Sequence, residues 1–199
     1  MKRILFVIIL IFAAAPAIAA SLPSEIRFTI EKALANEREA IARYDAFAAK
    51  ADLEGYPGAA SLFRAEARAE RVHAQRFEKL LRDEGLPVPP EVAVTVNPGD
   101  TGDNLRAAAS AETAERDGIY HEAIEVSHRH KANAIATAFD QTRDSEVEHA
   151  NLCMAAARDL GSMKEAKTYY VCTRCGYTTD FSMRLCAVCR AKEEPERVK

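Results

Sequence analysis

The 199-residue sequence has no tryptophan, and aromatic residues make up only 7% of it. With 48% hydrophobic and 29% charged residues, that composition suits a helical globular protein. An excess of positive charge is also missing. Lys and Arg number 27 against 30 Asp and Glu, a formal charge of −3, so nothing electrostatic favours nucleic-acid binding. Beyond the first twenty residues there is no apolar run long enough to cross a bilayer as a helix. Those twenty, MKRILFVIILIFAAAPAIAA, have the form of a secretory leader: two basic residues, an apolar run, Pro16, then Ala17-Ile18-Ala19. Cleavage after Ala19 or Ala20 is expected, leaving an exported, periplasmic protein of formal charge −5 once Lys2 and Arg3 are gone. The competing reading, an uncleaved anchor, fits less well because the run is short and ends in alanines. A twin-arginine pair is missing as well, so export is expected in the unfolded state, with any metal acquired outside the cytoplasm.

Four amphipathic stretches follow, approximately 24–51, 59–84, 104–128 and 132–160. Gly55-Tyr56-Pro57-Gly58, the segment GLPVPPEVAVTVNPGDTGD and the polar SHRHKAN separate them. The middle segment, Gly85 to Asp103, is too long for a tight turn and suits a crossover between two helical hairpins. The helical part repeats at an offset of 76: Tyr44 with Tyr120, Phe63 with Phe139, Glu70 with Glu146, His73 with His149, Ala74 with Ala150. Two related hairpins about a pseudo-two-fold axis are implied. After Leu160 the composition changes to a Cys-rich tail. The expected domains are a leader over 1–20, a four-helix bundle over 21–163, and a small module with its tail over 164–199.

The inward stripes carry the wrong chemistry for a simple core. They read Leu34, Glu37, Ile41, Tyr44, Ala48 in the first helix and Phe63, Glu70, His73, Phe77, Leu80 in the second. The third reads Leu105, Ala108, Glu112, Glu115, Ile119, Val126, and the fourth Ile135, Phe139, Thr142, Glu146, His149, Cys153, Ala156, Leu160. A carboxylate taken out of water without a partner costs many kcal/mol or takes up a proton. Five glutamates converging require either a water-filled seam or cations. A Glu and a His three residues apart stand one turn apart and can reach one ion. Single glutamates from two helices with Glu-x-x-His from the other two is the ligand pattern of dinuclear carboxylate bundles. Glu37 and Glu112 are then the singles, and Glu70/His73 and Glu146/His149 the pairs. Such ligation suits iron or manganese better than zinc. Tyr44 shares the face of Glu37 and could donate a hydrogen bond to a ligand carboxylate, as could its repeat mate Tyr120. Cys153 reads as a buried structural thiol.

In the tail, Cys172, Cys175, Cys186 and Cys189 form Cys-x2-Cys-x10-Cys-x2-Cys, a spacing for one tetrahedral thiolate-bound metal. With this the chain resembles the rubrerythrins over roughly residues 25 to 190. The resemblance rests on Glu37…Tyr44, Glu70-x-x-His73, Glu112-x-x-Glu115, Glu146-x-x-His149 and the four-Cys module. It implies an all-α, ferritin-like four-helix bundle with a long crossover, carrying two irons, plus a small rubredoxin-like or zinc-ribbon-like module. It implies further that His73 and Glu115 are alternative ligands to one iron, and that a reduced di-iron pair reduces hydrogen peroxide to water. Electrons would enter through a rubredoxin-like iron. A homodimer is implied, with one chain's module near the other chain's di-iron site. The loop between the Cys pairs is about two residues short for the family, and Ala187 and Arg190 replace its usual proline and glycine. A zinc site therefore stays open beside iron, and export leaves two disulfides open as well. Two other functions use the same features. One is a ferroxidase or iron-binding protein that takes dioxygen, needing neither Glu115 nor the module. The other is a zinc-stabilised interaction protein without turnover. Nicotinamide-linked cytoplasmic reductases usually supply the family's electrons. An exported protein would not meet them, so a periplasmic redox protein is the expected donor.

Overall fold

A computed structural model of the chain describes residues 22–199, and the leader expected over 1–20 lies outside the described residues. Helix α1 spans Ser24–Leu53 and α2 spans Pro57–Asp83. Between them Gly55, at φ +78°, closes the first helix, and the Tyr56 amide donates back to the Ala51 carbonyl at 2.9 Å. Pro57 then opens α2, where its missing N–H costs nothing. The two helices pack side by side as a hairpin.

The crossover runs without regular structure to Asp100, held by the Arg38 guanidinium, whose Nη1 donates to the Pro89 carbonyl at 2.8 Å. Asp100 caps α3 (Thr101–Ala114) by accepting from the Asp103 amide. A π-helical turn, Glu115–Tyr120, joins α3 to α4 (His121–Arg129), and α5 (Asn133–Arg158) returns along them. The expected third helix is thus not regular, and the reason lies in its length. Glu37 and Tyr44 are seven residues apart, whereas Glu112 and Tyr120 are eight apart. A regular helix would present Ile119 inward, as its apolar pattern suggests. The π turn absorbs the extra residue, so Tyr120 is fully buried and Ile119 only partly.

The core divides into two apolar clusters at either end of the bundle. One gathers Tyr44, Phe47, Phe63, Leu105 and Met163, the other Ile30, Leu34, Phe77, Tyr120 and Phe139. The repeat is visible in their ring pairs: Tyr44 with Phe63 at 6.2 Å and Tyr120 with Phe139 at 6.3 Å. Among the described residues no helix is long and apolar enough to cross a membrane.

A 3-10 turn, Leu160–Lys164, leads into a three-stranded antiparallel sheet in the order β2 (Thr178–Thr179), β1 (Tyr169–Val171), β3 (Glu196–Val198). The charged ending AKEEPERVK, read from sequence as a solvated tail, contributes β3 instead. Val198 pairs with Tyr169 and Glu196 with Val171, and Glu196 also accepts from Arg68 Nε at 2.6 Å. Backbone hydrogen bonds set this strand, so its polar side chains gave no sign of it.

Candidate metal centre

Between the two apolar clusters the four helices enclose a fully buried polar layer. Glu37 comes from α1, Glu70 and His73 from α2, Glu112 from α3, and Glu146 and His149 from α5, each with no exposed surface. Two sets of possible ligand atoms lie within 4.8 Å of one another: Glu37, Glu70, His73, Glu146, and Glu70, Glu112, Glu146, His149. The sets share Glu70 and Glu146, so two cations would be spanned by two carboxylates. The imidazoles lie nearly parallel, their centroids 5.8 Å apart. His73 Nδ1 faces Glu70 at 2.7 Å and Glu146 at 3.2 Å, and His149 Nδ1 faces Glu146 at 2.7 Å and Glu70 at 3.3 Å.

The two tyrosines act reciprocally across the repeat. The Tyr44 hydroxyl donates to Glu112 and the Tyr120 hydroxyl to Glu37, so each hairpin orients the single glutamate of the other. Tyr44 shares a helix face with Glu37, and the ligand-candidate carboxylate to which it donates is Glu112 of the other hairpin. Burial and the Glu37 carboxylate push the Tyr120 phenol up, which keeps it a donor.

Without cations the layer is electrostatically strained. Burial, then Glu70 and Glu146, raise Glu37 well above the usual carboxylate range; burial, then Glu115 and Glu146, do the same for Glu112. Burial disfavours the His73 cation, but Glu146 and Glu70 outweigh it and lift that imidazole to about 10. Glu37 Oε2, Glu70 Oε1, Glu112 Oε2, both Glu146 oxygens and His149 Nδ1 have no hydrogen-bond partner. Buried orphans of this kind fit a site built to be completed by cations.

Glu115 stands apart from the two sets. It lies in the π turn, where its Oε1 accepts from Arg43 Nη2 at 3.3 Å, and burial with Glu146 and Glu70 raises it to about 8. Sequence reasoning missed one residue, Glu66. It is fully buried, with Oε2 3.2 Å from His149 Nδ1, and burial raises it to about 8. Its position, three after Phe63 and four before Glu70, was a legible sign, since it continues the inward stripe of α2. Cys153 is a fully buried free thiol; His121, His128 and His130 lie at the surface or a helix end.

The second cluster comprises Cys172, Cys175, Cys186 and Cys189, all free. Cys172 and Cys189 sulfurs are 3.7 Å apart, and those of Cys175 and Cys186 3.5 Å. A tetrahedron with metal–sulfur bonds of about 2.3 Å has edges of about 3.8 Å. A disulfide would need about 2.05 Å, so the two-disulfide reading gives way to a thiolate cage. The residue after each Cys-x2-Cys pair turns left-handed, Gly176 at φ +80° and Arg190 at φ +60°.

This module lies against the bundle of its own chain. The Cys175 carbonyl accepts from His73 Nε2 at 2.8 Å and from Ser145 Oγ at 3.0 Å, and the Gly176 carbonyl from His149 Nε2 at 3.2 Å. These bonds engage the Nε2–H of both imidazoles and turn each Nδ1 toward the carboxylates. Gly176 permits the approach, because a Cβ there would overlap His73 Nε2.

Residues 29–157 match the family model for rubrerythrin. The chain is 33% identical over 163 residues to rubrerythrin of Porphyromonas gingivalis, covering 79% of this chain and 81% of that one. With rubrerythrin of Clostridium perfringens it shares 32% over 153 residues, 73% of this chain and 78% of the relative. A solved structure of fully reduced, all-ferrous nigerythrin aligns with a TM-score of 0.79 at 27% identity, over 92% of this chain and 91% of that one. Both clusters are consistent with iron, and the four-Cys cage accommodates iron or zinc.

Proposed function

The chain belongs to the rubrerythrin family, and from that premise we propose that it is an exported non-haem peroxidase that reduces hydrogen peroxide to water in its ferritin-like bundle. The observation that carries this reading is the pair of buried carboxylate–histidine sets sharing Glu70 and Glu146, with orphaned oxygens facing inward and the four-Cys module hydrogen-bonded to both histidines. Two ferrous ions, when bound, supply the two electrons that break the O–O bond. The protein's part is geometry and charge. Glu70 and Glu146 would be shared by both cations, Glu37 with His73 would complete the set for one, and Glu112 with His149 the set for the other. Tyr44 and Tyr120 each occupy one oxygen of a single glutamate, which leaves the second oxygen without a hydrogen-bond partner and able to bind a cation. Glu115 is assigned to exchange with His73. Here His73 faces the carboxylates while Glu115 faces Arg43.

Electrons are assigned to a rubredoxin-like iron at Cys172, Cys175, Cys186 and Cys189. From there the Cys175 peptide, one hydrogen bond and the His73 ring connect the thiolates to the bundle. The leader-like residues 1–20 support export, and a periplasmic redox protein is then the donor. The likeness also supports a homodimer, to be measured by sedimentation of the mature chain. The deciding experiment mixes reduced, iron-loaded protein anaerobically with hydrogen peroxide or with dioxygen. Much faster reoxidation by peroxide is expected. Preference for dioxygen, or uptake of many more irons than the three assigned sites hold, would establish iron handling instead.

A further inference from the structure

Glu66 has a counterpart against which it can be judged. At the offset that pairs His73 with His149, Glu66 corresponds to Thr142, and Cys153 corresponds to Phe77. All four are fully buried. One half of the bundle therefore has a small hydroxyl and a large ring where the other has a long carboxylate and a small thiol. The two exchanges compensate in volume, so the carboxylate gains room where the ring is missing. Cys153 feels it: burial first, then the Glu66 charge, raise that thiol. Neither Glu66 oxygen has a hydrogen-bond partner. A buried carboxylate in that condition is costly, and a well-packed core would not keep it without a compensating contact.

The contact is indicated by geometry. Glu66 Oε2 lies 3.2 Å from His149 Nδ1, the ring nitrogen that faces Glu146 at 2.7 Å, Glu70 at 3.3 Å and Glu112 at 4.0 Å. The other ring nitrogen is engaged by the Gly176 carbonyl. Glu66 thus stands among the groups around one prospective ligand atom. We infer that Glu66 is an eighth protein ligand of the dinuclear centre, binding the cation held by Glu112 and His149. It gives that position an additional carboxylate, as Glu115 does for the position of His73. The two halves then each carry one extra acid, supplied from different helices.

The inference rests on the dinuclear reading, and one experiment separates their failures. Metal-free protein, with zinc supplied to the four-Cys site, is titrated anaerobically with ferrous iron and the product examined by Mössbauer spectroscopy. Wild type is expected to bind two irons in the bundle with two resolvable doublets. Glu66→Gln should weaken one binding step about tenfold or more and alter one doublet, leaving the other as it was. The double variant Glu66→Thr with Cys153→Phe copies the opposite half and should do the same, should the single variant fail to fold. Two irons bound with unchanged affinities and doublets in either folded variant would overturn the ligand role while leaving the dinuclear reading intact. No iron in the wild-type bundle would overturn both.

Discussion

Replacing Gly176 with alanine puts a methyl group where His73 already is. The new Cβ would overlap Nε2 and sit 2.7 Å from Cδ2 and 3.0 Å from Cε1 of the ring, well inside ordinary contact. The ring cannot withdraw, because it is fully buried with Nδ1 against Glu70 at 2.7 Å and Glu146 at 3.2 Å. The module must lift instead. Three hydrogen bonds go with it: His73 and Ser145 to the Cys175 carbonyl, and His149 to the Gly176 carbonyl. At about 1 kcal/mol net each, docking loses about 3 kcal/mol, roughly a hundredfold in the docked population. A further 1–2 kcal/mol, roughly, falls on the knuckle itself, since alanine is forced to φ +80°. Two measurements report the result. With iron in the four-Cys site, stopped-flow mixing of the reduced variant with peroxide should show the thiolate-to-iron absorption returning at least tenfold more slowly than in wild type. With zinc throughout, nitrogen-15 histidine labelling should show the two Nε2–H protons protected in wild type and lost to solvent exchange in the variant. A variant that keeps both protected protons and the wild-type rate would refute the docking argument.

Metal removal should make stability depend on pH. In the metal-free fold Glu66 and Glu115 titrate near 8 rather than near the ordinary 4.5, so the folded state holds protons that the unfolded chain has released across that window. Their stabilisation is complete below 4.5 and lost as pH rises through 8, worth about 5 kcal/mol for Glu66 alone. His73, raised to about 10, continues the loss from 6.5 upward. Melting temperature of the apoprotein should therefore fall from pH 5 to 9 in calorimetry, while that of the iron-loaded protein stays nearly flat. Arg190→Gly should stabilise the module by about 1 kcal/mol in chemical denaturation, because Arg190 occupies a left-handed position at φ +60°. Since the module lies on its own bundle, the rate of peroxide reoxidation should not change on dilution from micromolar to nanomolar protein; a rate that falls with dilution would show that the electron route runs between chains.

Much of the centre could be read from spacing alone. The Glu-x-x-His pairs at Glu70 and Glu146 placed four ligand candidates correctly on inner faces, because helical periodicity converts three residues into one turn. Glu37, Glu112 and Tyr44 followed from the inward stripes, and Tyr120 from the repeat that pairs it with Tyr44. What stayed hidden depends on interactions between distant segments. Ile119 looked like the inward residue because the apolar pattern carried no mark of a π turn. Glu66 broke the repeat and so lacked the corroboration its neighbours had. The cis placement of the module rests on carbonyl oxygens and a missing Cβ at Gly176, neither of which leaves a hydrophobic signature. Strand β3 was invisible for the same reason.

The π turn makes length a constrained property of the third helix, in addition to the residue types at Glu112, Glu115 and Tyr120. Downstream of Glu115, removing one residue would rotate everything that follows by about 100° around the axis. Tyr120 would leave Glu37, and Val126 would leave the apolar cluster it helps to fill. By contrast Gly118, within the same turn, has open space around its position and should accept many side chains. Between Glu115 and Tyr120, the exposed positions Asp117 and Gly118 ought therefore to drift freely in composition while the segment resists any change in count, a pattern opposite to that of an ordinary surface loop.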